Sequence, residues 1–382
     1  MPQTAIPAVY MRGGTSKGLF FRAADLPPAG PERDRLLLAT IGSPDPYGKQ
    51  IDGLGGATSS TSKVVIIQRS ARPDCDVDYL FGHVAVREPC IDWSGNCGNL
   101  TSAAGVFALE QGLLKASGGN STPVRLWQAN LGQHILVHVP IDENGRVQVH
   151  GDYRMSGVPG SGAPIRIDFM NPGGAPGGTV LPTNRVLDIL DVPGIGAVEC
   201  SLIQAGNATV FVDAATLGLQ GTELPATVDS MDELLERVEA IRCQASLAMG
   251  MTASRTEAAA QPATPKLAFI GPAQDTVTTQ GETLPAGAMD LSARIFSMGY
   301  LHHAYTGTGA IATAVAAAIP GTVVARHSHG TDPAAGLRIG HSAGLIDCAA
   351  ELIETARGWQ ATRASLTRTA RTLMRGEVLI DF

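Results

Sequence analysis

Three short segments of the chain combine residue types that could move a proton next to a carboxylate. The first, MRGGTSKG (Met11 to Gly18), sets two cations, two hydroxyls and three glycines in eight positions. Glycines let backbone N–H groups approach a ligand closely, and Arg12 can grip a carboxylate through two parallel hydrogen bonds. The G-x-x-x-x-G-K-[ST] spacing of a phosphate loop is absent and no helix pattern follows. On this segment alone, a plain hairpin loop explains the pattern equally well. The second, GLGGATSSTSK (Gly53 to Lys63), ends in a lysine heading a strongly apolar run. Partial desolvation there would disfavour the ammonium and let Lys63 act as a base, helped by Arg12 and Lys17 if they lie close. Most lysines are solvated surface groups, so this segment too carries a bland alternative. The third, GNCGN (Gly95 to Asn99), puts Cys97 where a helix should begin, a setting that favours the thiolate. Most free cysteines are inert core residues, but one flanked by Gly and Asn in a turn is harder to dismiss.

These segments need a frame to hold them. Alternation of apolar residues predicts strands over Ala8 to Met11, Leu19 to Arg22, Lys63 to Arg69, Asp76 to Val86, Val124 to Ala129, Ile135 to Val139 and Ile165 to Phe169. Helices are expected over Glu32 to Ile41 and over Gly98 to Lys115, the latter apolar on most faces and therefore buried. NPGGAPGG (Asn171 to Gly178) can continue neither element and reads as the end of a first domain. Beyond it come strands at Val198 to Gln204, Val210 to Val212, Lys266 to Ile270 and Ile295 to Met298, and a long helix over Met231 to Met249. Cys97-Gly98-Asn99 before one small-residue helix is echoed by Thr306-Gly307-Thr308-Gly309 before another, Ala310 to Ile319. That weak repeat suggests two duplicated domains, each offering a helix N-terminus to an anion. Taken alone, ordinary glycine-rich turns before core helices explain it better.

The chain has 382 residues, enough for two domains, with 44% apolar and 16% charged residues, the balance of a well-buried enzyme. A net charge of −7 offers no overall attraction to nucleic acid or to an anionic membrane surface. Neither a signal-peptide core nor a membrane-length apolar run is visible. Six cysteines (Cys75, Cys90, Cys97, Cys200, Cys243, Cys348) form no C-x-x-C pair, and His327 and His329 sit in no recognisable ligand pattern. Neither a metal site nor a disulfide framework is expected, and a reduced, cytoplasmic protein is the simple reading.

The three segments, together with GSPDPYGKQIDG (Gly42 to Gly53), DVDYLFG (Asp76 to Gly82), DWSGNCGN (Asp92 to Asn99) and SMGYLHHA (Ser297 to Ala304), resemble the 2-methylaconitate cis–trans isomerase (PrpF) family. That family includes 4-oxalomesaconate tautomerases and methylitaconate isomerases and has the diaminopimelate epimerase-like fold. The resemblance covers essentially the whole chain and is closer to the methylaconitate branch. It implies an α+β protein of two similar domains, each a curved sheet around a central helix. Residues 1–180, completed by a C-terminal strand at 371–382, would form one and 181–370 the other. It further implies a catalytic lysine at Lys63 and an active-site cysteine at Cys97. Substrate contacts would map to Arg12, Gly13, Gly14, Thr15, Ser16, Ser60, Thr61, Ser62, Asn96, Lys266, Ser297, His302 and Thr306. Thr306 stands where two-thiol epimerases of this fold carry a second cysteine, which leaves one-base chemistry. The implied activity is conversion of trans- to cis-2-methylaconitate without metal, redox or nucleotide cofactor, with tautomerisation of 4-oxalomesaconate as the alternative. An aconitase-like 2-methylcitrate dehydratase is the implied partner, and a homodimer is compatible. The rival class is a non-catalytic accessory protein of that dehydratase, which would need neither Lys63 nor Cys97.

Overall fold

A computed structural model describes residues 3–173, 178–328 and 335–381. The chain divides into two compact units, Met1–Arg154 with Gly160–Ile167 and Thr367–Phe382, and Met155–Pro159 with Asp168–Leu366. Against the expected 1–180 and 181–370, the crossings fall near Arg154, Ile167 and Leu366. The Asn171 to Gly178 stretch falls in the range of the second unit, and its residues 174–177 lie outside the described residues.

The first unit contains β1 (Thr4–Gly13), β2 (Ser16–Arg22), α1 (Pro31–Ile41), β3 (Lys63–Arg69), β4 (Val77–Val84), β5 (Ile91–Asp92), α2 (Gly98–Glu110), β6 (Ser121–Gln128) and β7 (Gln133–Pro140). Its strands pair in the order β7-β6-β4-β3-β2-β1, and the C-terminal strand Ala370–Ile380 closes the row on β1. Burial explains the sequence patterns. In β7, Ile135, Val137 and Val139 turn inward and their neighbours outward, the period of a sheet covered on one face. In β3, Lys63 to Ile67 are buried without alternation, because α1 packs Leu37 and Ile41 on one face and α2 lies on the other. Small residues let α2 sit close inside the curve: a Cβ on Gly105 would stand 2.9 Å from Val139. It ends at Glu110 rather than Lys115, because Gly112 takes φ 65° and Leu113 N–H closes back on Ala108 O.

The second unit contains β8 (Asp188–Val192), β9 (Gly196–Ala205), β10 (Asn207–Asp213), α3 (Asp232–Ala248), β11 (Lys266–Pro272), β12 (Leu291–Ser297), β13 (Tyr300–Leu301), α4 (Gly307–Ala317), β14 (Leu337–His341), β15 (Gly344–Thr355) and most of β16 (Gly358–Arg368), whose Thr367 and Arg368 belong to the first unit. β9, β10, β11, β12, β14 and β15 pair in succession as antiparallel, parallel, antiparallel, parallel, antiparallel. The succession β1, β2, β3, β4, β6, β7 has the same alternation, and each unit buries one small-residue helix (α2, α4) after a two-residue strand (β5, β13). The repeat read from two turns is thus a repeat of a whole topology. Strands β14 to β16 were not foreseen. Among the described residues, no helix is long and apolar enough to cross a membrane.

Candidate active site

Lys63 is the first residue of β3. The parallel register with β2 (Leu19 beside Val64) sets Gly18 at its level, and a Cβ on Gly18 would lie 2.6 Å from the Lys63 carbonyl. The side chain is 5% exposed. Its Nζ donates to Ser16 Oγ at 3.0 Å, lies 3.3 Å from Cys97 Sγ and stands 5.7 Å above the Phe81 ring centroid. Among the described residues, no carboxylate pairs with it. Lys17 points elsewhere, over the Tyr10 ring.

Cys97 caps α2, with its Sγ 3.5 Å from Leu100 N–H and 3.9 Å from Ser16 Oγ. Its carbonyl accepts from Thr101 N–H, Thr101 Oγ1 and the buried Tyr79 hydroxyl at 3.3 Å. Burial, and then Cys97, hold the Tyr79 phenol well above its ordinary range, so it serves as a donor. A hydroxyl, an amine and a thiol thus meet within 4 Å, each fixed by the start of a different element.

The loop before Ser16 presses on the first turn of α2. Gly14 takes φ 51°, and a Cβ there would stand 2.3 Å from Asn99 Oδ1; at Gly13 it would stand 2.7 Å from Asn99 O. Asn99 donates to Thr15 Oγ1 and accepts from Arg368 Nε, both at 2.9 Å. Arg12, expected to grip a substrate carboxylate, donates Nη1 to the carbonyls of Gly14 (3.2 Å) and Thr369 (2.8 Å). Burial, then Arg371, lower its basicity. Its hydrogen bonds shape the loop.

The turn ahead of Lys63 is equally tied down. Ser60 O accepts from Lys17 N–H, Ser62 Oγ donates to Gln50 Oε1 at 2.7 Å, and Thr61 Oγ1 meets Thr58 Oγ1 at 2.8 Å. His83, cross-strand from Lys63, holds Ser59 O at 2.8 Å, and Asn96 is buried just before Cys97. The other expected contacts belong to the second unit. Lys266 opens β11, buried, with Nζ donating to Ala263 O at 3.2 Å and Ser297 Oγ at 3.4 Å. Thr306 caps α4 through Gly309 N–H at 3.1 Å, and buried His302 accepts from Ala304 N–H through Nδ1. Within the motifs, Tyr79, Phe81, Gln50 and Asn99 carried no separate signal of a role; His83, just past DVDYLFG, and Arg368 carried none at all. Of the two histidines considered earlier, His327 lies 2.7 Å from Asp213, and His329 is outside the described residues.

Residues 3–381 match the PrpF protein family. A 2-methyl-aconitate isomerase of Shewanella oneidensis is 47% identical, over 99% of this chain and 98% of its own length. A solved methylitaconate-delta-isomerase superposes with a TM-score of 0.77 at 38% identity, over 100% of this chain and 96% of that one. A probable proline racemase from Agrobacterium radiobacter shares only the fold, at 14% identity and a TM-score of 0.56, over 99% and 93% of the two chains. The expected epimerase-like fold is therefore the observed one. With a likeness that runs from end to end and the lysine and cysteine of its motifs side by side, the chain belongs to the PrpF family.

Proposed function

We propose that this isomerase converts trans-2-methylaconitate to cis-2-methylaconitate with Lys63 as its single base. The observation that carries the reading is the buried Lys63 amine, 3.0 Å from a hydroxyl and 3.3 Å from a thiol. Neutral Lys63 takes a proton from the methylene carbon beside the double bond. The electron pair left behind delocalises over the alkene and its carboxylate, the former double bond gains single-bond character, and rotation follows. Return of the proton from the Lys63 ammonium to the same carbon completes the change. The first-turn N–H groups of α2 and the hydroxyls of Thr15 and Ser16 suit the added negative charge, while Cys97 orients the substrate or backs the lysine as an acid. Ser60 to Ser62 and Asn96 line the same element ends, and Lys266, Ser297, His302 and Thr306 are proposed substrate contacts carried by the second unit. The name of the Shewanella relative supports this substrate. An aconitase-like dehydratase as partner and a cytoplasmic location belong to the same reading; the location is supported by the six cysteines, none of which forms a disulfide.

The test is turnover in D₂O followed by NMR. Deuterium should enter the methylene carbon of the cis product and, on long incubation, that of recovered substrate. Deuterium on the carbon bearing the methyl group, in a product whose double bond has moved, would replace this reading by allylic transfer. That is the chemistry named for the methylitaconate relative. Isomerisation with no label in Lys63-competent enzyme, persisting in Lys63→Met, would overturn the lysine mechanism.

A further inference from the structure

A second cluster of ligand-type side chains lies on the first unit at the far end of β3. Asp74 and Cys75 sit in the turn between β3 and β4, and His134 is the second residue of β7. They are 59 residues apart at the widest hydrogen-bonded pair, so linear spacing conceals them; the parallel pairing of β4 with β6 and the antiparallel pairing of β6 with β7 unite them. Cys75 Sγ is 3.4 Å from His134 Nδ1, and His134 Nε2 is 3.6 Å from Asp74 Oδ2. One ligand atom from each residue lies within 4.8 Å of the other two. A tetrahedral zinc ion with ordinary bond lengths separates sulfur from nitrogen by about 3.6 Å, close to the spacing already present. The imidazole is prealigned: the Trp127 ring meets it edge-on with centroids 5.0 Å apart. The nearby cations are engaged, Arg125 by Asp76 at 2.7 Å and Arg72 over the Trp127 ring at 3.6 Å. Asp74 is exposed and can swing to close the set.

We propose that Asp74, Cys75 and His134 form a binding site for a zinc-type divalent cation, with water as the fourth ligand, clipping the β3–β4 turn to β7. Binding forms the metal–sulfur bond as the Cys75 thiol releases its proton to solvent. The site is separate from the chemistry, since six residues of strand, on the order of 20 Å, part it from Lys63.

Cobalt(II) titration of the full chain tests this, because a cobalt–thiolate bond gives a near-ultraviolet charge-transfer band. One equivalent should produce the band, zinc should displace it, and Cys97→Ser should retain it. Cys75→Ser should abolish it, and His134→Ala should weaken binding at least tenfold. Isomerase turnover of Cys75→Ser should stay within about twofold of the parent, as expected for a remote site. No band in the parent protein, or a band that survives Cys75→Ser, would overturn the site. Because His134 is half-exposed, its variant keeps the test decisive should Cys75→Ser fail to fold.

Discussion

The two units carry the same sheet succession, yet they equip it differently. In each, a buried lysine opens the third strand of the repeat and a side chain caps the central helix. In the first unit the lysine meets a strand-head hydroxyl and the capping thiol. In the second, Lys266 meets a backbone carbonyl and Ser297, and the cap is a threonine. Even the residue level with the lysine differs, Gly18 beside Lys63 and Thr209 beside Lys266. A thiol exchanges protons near neutral pH and an alcohol does not. One scaffold thus carries an amine beside a thiol in one unit and an amine beside a hydroxyl in the other.

The sharpest way to break that contrast is to remove each amine. Lys63→Met should lower kcat by several orders of magnitude, whereas Lys266→Met should act mainly through KM, on the order of tenfold to a hundredfold. Equal losses of kcat would erase the distinction. Next in size is Gly18→Ala, whose methyl would collide with the Lys63 carbonyl. A loss of about 1–3 kcal/mol in urea unfolding is expected, with impaired turnover; an unchanged midpoint would show that β2 and β3 can part without consequence. Tyr79→Phe removes one hydrogen bond from the Cys97 carbonyl. It should cost about 1 kcal/mol and lower kcat less than tenfold, since Thr101 still holds that carbonyl. The smallest effect lies in the second unit. Burial, then Asp188, push the Cys200 thiol from 9.0 up to about 12. The folded chain therefore keeps a proton that the unfolded chain gives up, and this contribution, complete below pH 9, is lost as pH climbs toward 12. Cys200→Ala should flatten the alkaline decline of stability; parallel curves for the two proteins would contradict the assigned burial.

The lysine and the thiol were legible because their signals are local: a polar residue heading an apolar run, and a cysteine in a helix-opening turn. The setting of Arg12 was hidden because a sequence shows a guanidinium but not the carbonyls of Gly14 and Thr369 that hold its Nη1. Arg368 was invisible, since its partner Asn99 lies 269 residues away. Strands β15 and β16 escaped for another reason. Between Ile346 and Leu366 their inward positions are filled by Cys348, Ala350, Ala361 and Ala364, residues too small to stand out against polar neighbours, and a bulge at Glu351/Leu352 breaks the alternation. The metal-type cluster needed the sheet itself to bring residue 134 beside 75.

The pairing of β1 with Ala370–Ile380 joins strands that the whole second unit separates in the chain. During synthesis, one edge of β1 must wait unpaired while the second unit is translated, although Ala370–Ile380 lies outside that unit. Arg368, which braces Asn99 and through it Thr15, arrives just as late. A chain stopped near Leu366 should therefore keep the strands of its second unit while its first unit stays unfinished. For this protein, the ribosome reaches Arg368 and the strand beside β1 only after the whole second unit has been made.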